Sequence, residues 1–377
     1  MRIVISSISF CEYVIQQANG LAGLGHHVLV VMPSSLVKNT VGADIGGLCH
    51  PGVECFAYTE ERPWKWAYYT DIIRTVSSFS PDVLHFHENG EPGTLALLLR
   101  YINKPLVISI HDVTTHPGAD TRLKTRRRLI KRLLKMRADV IHLHGETLRD
   151  KFNTLYPGLS GRVSVIPHGS LTIFKCWEKE IIKHEPRTVL FFGRMEKYRG
   201  LDNLLKIGRI LRETVPGIKI IVAGRGSELE RYKEEMTNLG IFEIHDGFIP
   251  DKDVFRYFRR ASLLLLPYHE ASQSGVVAMG FPFGVPVVAT RVGSIPEVVI
   301  DGRHGRIVSP GDVAGFAGAV RDLLADGGRL KRMSDCCLET AEKLDFNVIS
   351  PEFVRLYIKA IAGEKSVYQE DRCVSKS

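Results

Sequence analysis

The stretch TVLFFGRMEKYRGLDNLLKIGRIL occupies residues 188–211, and its hydrophobic period changes part-way along. The first five residues form the short apolar run that a buried strand needs. The run stops at Gly193. Arg194 follows, then four residues, then Arg199 and Gly200, after which Leu201, Leu204, Leu205 and Ile207 recur at helical spacing. A glycine at a strand end permits a tight turn and lets an anionic oxygen approach backbone amides. Two guanidiniums beside such a turn can grip a diphosphate and stabilise it as it departs. The plain alternative is a pair of solvated arginines on a loop; the coincidence of basic side chains with a helix start favours the anion site.

Working outward, the same strand-then-helix alternation fills the chain. Apolar runs at 2–6, 26–33, 82–88, 105–112, 139–145 and 162–169 precede this stretch, and runs at 188–194, 219–226, 241–249, 262–268, 286–293 and 305–310 make a second set. Near-continuous apolar strands separated by helical patterns predict parallel sheets covered on both faces, and two sets of six predict two doubly wound α/β domains. The polar segment 175–187 reads as the linker. The predicted units are 1–175, 186–345, a helix at 346–363 that follows the second set, and a polar tail at 364–377.

Composition sets the class. A chain of 377 residues is too long for one core, and 44% hydrophobic with 24% charged residues is that of a globular protein. No run of about 18 uncharged apolar residues occurs, so no transmembrane helix is expected. The N-terminus MRIVISSISF begins as a strand and lacks the pattern of a signal peptide. Seven cysteines without paired spacing fit reduced thiols in a cytoplasmic setting. Net charge of +8 and a pI near 9.1 point to an anionic partner: a nucleotide, a phospholipid surface or a nucleic acid.

Ligands of doubly wound sheets bind beyond the carboxyl ends of the strands. Four predicted strands of the first half end in histidine, at His87, His111, His144 and His168. Together they predict a polar rim, although any one alone reads equally well as a hydrogen-bonded structural histidine. The pairs His85/His87 and His142/His144 also raise zinc as an alternative, but no matching Asp or Cys ligands stand out, so no metal is expected. His111 is followed by Asp112, then Thr114, Thr115 and His116, which read as a substrate wall. In the second half, Gly224 and Gly226 lie between a strand and a helix and mark a close approach of backbone to ligand. Phe248 and Ile249 sit at the next strand end, where Phe248 reads equally as a base-flanking ring and as core.

These motifs, in this order, are familiar. Gly193-Arg194 with Arg199-Gly200, then Val222-Ala223-Gly224 with Gly226, then Gly247-Phe248-Ile249, then Gly284-Val285-Pro286-Val287-Val288-Ala289-Thr290 leading to Gly293 and Pro296-Glu297, resemble the retaining GT-B glycosyltransferases of the family-4 type. The likeness covers most of the second half. It continues more weakly through Pro81-Asp82-Val83, His111, Ala138-Asp139 and Ile166-Pro167-His168-Gly169. The resemblance implies a GT-B fold: two Rossmann-like domains facing a cleft, with the final helix crossing back to the first domain. It implies a UDP- or GDP-sugar donor on the second domain and a glycan or lipid-linked acceptor on the first, with His87, Asp112, His144 and His168 as acceptor-side candidates. The sugar would be transferred with retention on the donor's own face and without a metal ion or other cofactor. Arg194 and Arg199 would stabilise the departing diphosphate, and His111 and Glu270 would contact the sugar. Gly193, Gly224, Gly226, Phe248 and Ile249 would hold the nucleotide.

The chain departs from the family's pattern in three places. The glutamate usually found near the nucleotide ribose is absent: Ala278 stands eight residues after Glu270, and counting back from Gly284 puts Met279 at the usual position. The variant Ser272-Gln273-Ser274-Gly275 implies a grip by the hydroxyls of Ser272 and Ser274 and the backbone of Gly275 and Val276, with Glu297 bracing the following turn. Arginine stands at 199, where lysine is commoner in the family. The loop SSISFCEYV lacks the glycine pair often found there.

One segment is left over. Residues 121–137 carry nine Lys or Arg in seventeen residues and no acid, with Leu123, Ile130 and Leu134 in one stripe and Leu129 and Leu133 beside it. This reads either as a surface helix seated on its sheet or as a contact with the anionic inner face of a membrane, which would suit a lipid-linked acceptor and a peripheral location. Aromatics are not interleaved with the charges, so nucleic acid is not expected. Other functions left open are a nucleotide-sugar epimerase on the same scaffold, a nucleotide-binding partner protein without turnover, and a zinc hydrolase.

Overall fold

A computed structural model describes residues 1–40, 45–59, 66–114 and 125–363. The first sheet holds β1 (Arg2–Ser6), β2 (His27–Pro33), β3 (Val53–Tyr58), β4 (Val83–His87), β5 (Leu106–Ser109), β6 (Val140–Leu143) and β7 (Val163–Val165), in spatial order 3-2-1-4-5-6-7. The second holds β8 (Thr188–Phe192), β9 (Lys219–Gly224), β10 (Phe242–Asp246), β11 (Leu263–Leu266), β12 (Val287–Thr290) and β13 (Gly305–Val308), in order 10-9-8-11-12-13. The ladders of both sheets are parallel. Central strands such as β8, β11 and β12 are buried along their whole length, which is why they read as unbroken apolar runs.

The first sheet has seven strands, not the six expected. The strand passed over is β3, VECFAY, which lies at the sheet edge with Glu54 and Ala57 exposed and its other residues half-buried. Glu54 and the moderate hydrophobicity of an edge strand hid it among strands covered on both faces.

Strand order reverses between β1 and β4 in one sheet and between β8 and β11 in the other. Crevices form at such switch points beyond the carboxyl strand ends. The loops after β1 and β8 both open onto one cleft between the domains. Apolar packing runs from the helix Cys11–Gly23 through Leu171, Ile173 and Phe174 into the second domain. The polar segment 175–187 is pinned to that domain, Glu178 by Arg259 and Glu185 by Arg260 and Lys219. The last helix, Phe346–Ala362, packs on the helix Cys11–Gly23 and on β4, β5 and β6, so it returns to the first domain. Asp345 caps it by accepting from the Asn347 N–H, six residues before Pro351, where the apolar pattern first becomes obvious.

Candidate active site

The cleft encloses about 410 Å³ between the two domains. From the second domain, Gly193, Arg194, Arg199, Gly224, Phe248, Ile249, Gly275 and Val276 line it, as do His111, Asp112 and His168 from the first. Arg194 is exposed at its mouth, and no hydrogen bond from its side chain to the described residues is seen. Arg199 is held: Nη1 donates to the Phe192 carbonyl at 3.0 Å and to the Tyr268 hydroxyl at 2.8 Å, and Nε donates to the Tyr198 hydroxyl at 3.3 Å. These three partners are neutral, so the guanidinium is aimed without being neutralised by them. The turn needs its glycines. Gly224 has φ 146°, and a Cβ there would lie 1.9 Å from the Gly193 carbonyl oxygen. Gly226 supports the same turn against Met195 and does not itself line the cleft. A more open depression of about 610 Å³ lies beside Ile182, His245 and Arg256, where none of the arginine–glycine turn reaches.

The histidines do converge, in a layer rather than a simple rim. His87 Nε2 donates to the Gln17 side-chain carbonyl at 3.2 Å, which leaves His87 Nδ1 as an acceptor. His111 Nε2 then donates to His87 Nδ1 at 2.9 Å, and His144 Nε2 donates to His111 Nδ1 at 3.1 Å. A second chain runs below it. Tyr357 donates to His85 Nδ1 at 2.8 Å, His85 Nε2 to Ser109 Oγ, Ser109 to His142 Nδ1, and His142 Nε2 to the Ile166 carbonyl at 3.0 Å. Burial, assisted by the neighbouring imidazoles, holds His85, His87, His111 and His144 well below the ordinary histidine value, and burial lowers His142 and His168 to about 4. All six are therefore neutral near pH 7, and each proton in the two chains has one assigned place.

This changes the expected role of His111. Both of its ring nitrogens are spent on neighbouring histidines, so in this arrangement the imidazole meets the cleft through its ring and not through a free N–H. His87 and His144 lie behind it and do not line the cleft. His168 is different: Nδ1 donates to the Gly169 carbonyl at 2.8 Å, which leaves Nε2 as an acceptor on a ring that lines the cleft. Among the described residues no group of three or more His, Cys, Asp or Glu is placed to hold a metal ion. Thr115 and His116 of the expected substrate wall lie outside the described residues.

The segment 270–276 is arranged otherwise than the sequence suggested. Glu270 is exposed and outside the cleft lining. Ser272 is buried, and its carbonyl accepts from the Ser294 N–H at 3.0 Å. Ser274 lines a small separate cavity with His144 and Ser294. Neither serine lines the main cleft; Gln273, which no motif singled out, does, and so does Met279 in the position of the missing glutamate. Glu297 reaches beyond its own turn. Its carboxylate crosses to the first domain and accepts the N–H groups of Glu146 and Thr147 at 2.7 and 2.8 Å, capping the helix Glu146–Leu155. Burial works against that charge, but the bonds from Thr147 and Glu146 hold the carboxyl below the ordinary glutamate value. A Cβ at Gly145 would meet Ser294 Oγ at 2.5 Å and Glu297 Oε2 at 2.8 Å, so the domains meet here only over a glycine.

Phe10 of the first loop, Glu12 and Tyr13 of the helix turn after it, and Asp251 of the second domain also line the cleft. Phe10 takes φ 58°, a left-handed conformation costing a non-glycine residue roughly 1–2 kcal/mol. It stands where the family's glycine pair was missed, and its ring lies 4.1 Å from that of His111. Glu12 and Tyr13 follow it into the cleft. Opposite them is Asp251, only 6% exposed, its Oδ2 without a hydrogen-bond partner among the described residues. Burial, and then Glu12, push the Asp251 carboxyl up to about 8, and burial raises that of Glu12.

Comparison with known proteins agrees with this arrangement. The family model for glycosyl transferases group 1 matches residues 176–336, and that for Glycosyltransferase Family 4 matches residues 12–170. A phosphatidyl-myo-inositol mannosyltransferase of Mycolicibacterium smegmatis is 25% identical over 353 residues, covering 92% of this chain and 89% of its own. A glycogen synthase of Mycobacterium tuberculosis is 24% identical, covering 78% of this chain and 72% of its own. Among solved structures, a sucrose-phosphate synthase from Thermosynechococcus elongatus superimposes with TM-score 0.72 at 16% identity, covering 97% of this chain and all of its own. Anabaena HepE, crystallised with UDP and glucose, superimposes with TM-score 0.70 at 15% identity over 94% and 98% of the two chains. With two facing Rossmann-like domains, a glycine–arginine turn in the cleft between them, and family matches on both halves, the chain belongs to the group 1, family-4 type glycosyltransferases and is a GT-B enzyme that transfers sugar.

Proposed function

We propose that the chain moves a hexose-type sugar from a UDP- or GDP-sugar to a glycan or lipid-linked acceptor in surface polysaccharide biosynthesis, with retention at the anomeric carbon and no metal ion. The observation that carries this reading is the pair Arg194 and Arg199 in the turn after β8, with Arg199 fixed, among the described residues, by neutral hydrogen-bond partners. A guanidinium held in place but not neutralised is suited to charge that develops on a leaving diphosphate. The glycine turn of Gly193 and Gly224 lets that diphosphate approach the backbone. Retention follows if the leaving phosphate takes the acceptor's proton on the same face, which requires no enzyme nucleophile. His168, with Nε2 as an acceptor in the cleft, orients the incoming hydroxyl. HepE in complex with UDP-glucose supports a nucleotide-sugar donor, and the mannosyltransferase relative supports a lipid-linked acceptor.

The basic helix bears on location. In the helix Thr125–Arg137, Ile130 and Leu134 are buried against the sheet; Leu123 lies outside the described residues. Leu129, Leu133 and Met136 are exposed, as are Leu99 and Ile102 of the neighbouring helix and its end. Part of the charge is spent internally, Lys131 and Lys135 on Glu88 and Arg127 on Glu91. Exposed leucines among arginines fit a peripheral contact with the anionic cytoplasmic leaflet. Among the described residues no helix is long and apolar enough to cross a membrane. The test of the donor is a thermal-shift panel with UDP, GDP and ADP. The account expects UDP or GDP to raise the melting temperature and ADP to do so least; no shift with UDP or GDP would overturn it. Flotation with phosphatidylglycerol-containing vesicles, against vesicles of phosphatidylcholine alone, tests the membrane contact.

A further inference from the structure

Folding brings together two cysteines that sequence spacing left unpaired. Cys49 closes the short turn Gly46–Leu48, Cys55 lies on β3, and their sulfurs are 3.3 Å apart with both thiols free. The intervening bend is held without a covalent link. The Val53 N–H donates to the His50 carbonyl at 2.8 Å, and Gly52 N–H to His50 Nδ1 at 3.1 Å. The helix Cys11–Gly23 clamps it from the other side: the His50 N–H donates to Asn19 Oδ1, and Asn19 Nδ2 to the Leu48 carbonyl, each at 2.8 Å. The two sulfurs are thus presented to each other by a braced turn, and a side-chain rotation of modest size brings them to the bonded distance of about 2 Å.

The two thiols are also unequal and accessible. Both are half-buried, whereas Cys11 and Cys337 are fully buried and inert by that criterion. The contact between the two sulfurs favours a thiolate on Cys49, lowering its pKa, while the same contact and burial raise that of Cys55. Cys11, packed nearby, is pushed up to about 12 by burial. One sulfur is therefore set to attack and its neighbour to resolve.

We propose that Cys49 and Cys55 form a dithiol redox site that an oxidised low-molecular-weight disulfide, of the glutathione type, converts to an intrachain disulfide. The Cys49 thiolate attacks one sulfur of the small disulfide, whose S–S bond breaks and releases one small thiolate. Cys55 then gives its proton to solvent and attacks the Cys49 sulfur, expelling the second small thiolate. Two protein thiols lose two electrons, and one small disulfide becomes two thiols. The site is separate from the sugar-transfer cleft, but it is joined by Asn19 to the helix whose first turn places Glu12 and Tyr13 in that cleft.

The test is to equilibrate the native full chain with graded ratios of oxidised to reduced glutathione, quench in acid, digest, and map cysteines by mass spectrometry. The expected result is a Cys49–Cys55 linked peptide lacking two hydrogens, formed at ratios where Cys176, which is exposed, carries at most a glutathione adduct. Cys55→Ser is expected to trap glutathione on Cys49, and Cys49→Ser to leave Cys55 unmodified. The proposal is overturned if, in the wild-type chain, Cys49 and Cys55 stay reduced or are glutathionylated separately at ratios that modify Cys176. That outcome is read on the wild type alone and does not depend on either variant folding.

Discussion

Replacing Arg194 and Arg199 one at a time separates the chemistry of the cleft from its architecture. Arg194 is exposed and its side chain makes no hydrogen bond to the described residues, so Arg194→Ala should change stability by no more than about 0.5 kcal/mol. On the proposed function, what it removes is a guanidinium fork on the leaving diphosphate. A hydrogen bond to a charged partner contributes about 1.5–3 kcal/mol, and a two-pronged grip roughly 3–4 kcal/mol. At about 1.4 kcal/mol per tenfold, kcat/KM should fall by about 10²–10³. Arg199→Ala should lose at least as much activity, but it also breaks bonds to Phe192, Tyr268 and Tyr198, so it should melt lower as well, by about 1–3 kcal/mol of stability. The assay is nucleotide release from the best UDP- or GDP-sugar donor, paired with thermal melts of each variant. An Arg194→Ala enzyme with kcat/KM within about threefold of wild type and a normal melt would refute the assignment of this turn to the diphosphate.

Other consequences are as direct. Glu297→Gln weakens two bonds that join the domains; because the contact is exposed, the loss should be about 0.5–1 kcal/mol, read as faster hydrogen exchange at the Glu146 and Thr147 amides. Its folded pKa lies below its unfolded value, so this contribution is present at neutral pH and disappears as pH falls through the folded value; wild type and variant should converge in acid. Asp251 has the opposite sign. Its folded pKa of about 8 lies above the usual 3.8, so stability falls as pH rises between those values. Asp251→Asn should therefore gain about 1–3 kcal/mol at pH 9 and nothing at pH 3, and equal melting at both pH values would refute the buried, uncompensated carboxyl. Phe10→Gly should relieve the left-handed strain yet uncover His111, so melting should change little while donor KM rises; an unchanged KM would place the Phe10 ring outside the donor's path.

What could be read in the sequence divides along physical lines. Strands buried on both faces, such as LLLL of β11, announce themselves because burial demands an unbroken apolar run. The edge strand β3 does not, since half of it meets solvent or loops. The arginine–glycine turn was legible because φ above zero and close backbone approach restrict residue choice. The histidine positions were legible as strand ends, but the proton order that occupies both nitrogens of His111 depends on Gln17, far away in sequence. Glu297 and Asp251 were beyond reach for a related reason: Glu297 owes its state to the Glu146–Leu155 helix of the other domain, and Asp251 owes its state first to burial and then to Glu12 across the cleft. Phe10 was hidden because a bulky residue in a glycine-like conformation leaves no compositional trace.

The reaction proposed for this cleft is transfer of a sugar from a nucleotide diphosphate donor with retention. It is tested most directly by incubating the protein with individual UDP- and GDP-sugars and a lipid-linked or oligosaccharide acceptor, measuring released nucleotide, and reading the new linkage by proton NMR. The account predicts that one α-linked donor releases its nucleotide and yields an α-linked product; inversion to a β-linked product, or no nucleotide released from any UDP- or GDP-sugar, would contradict it.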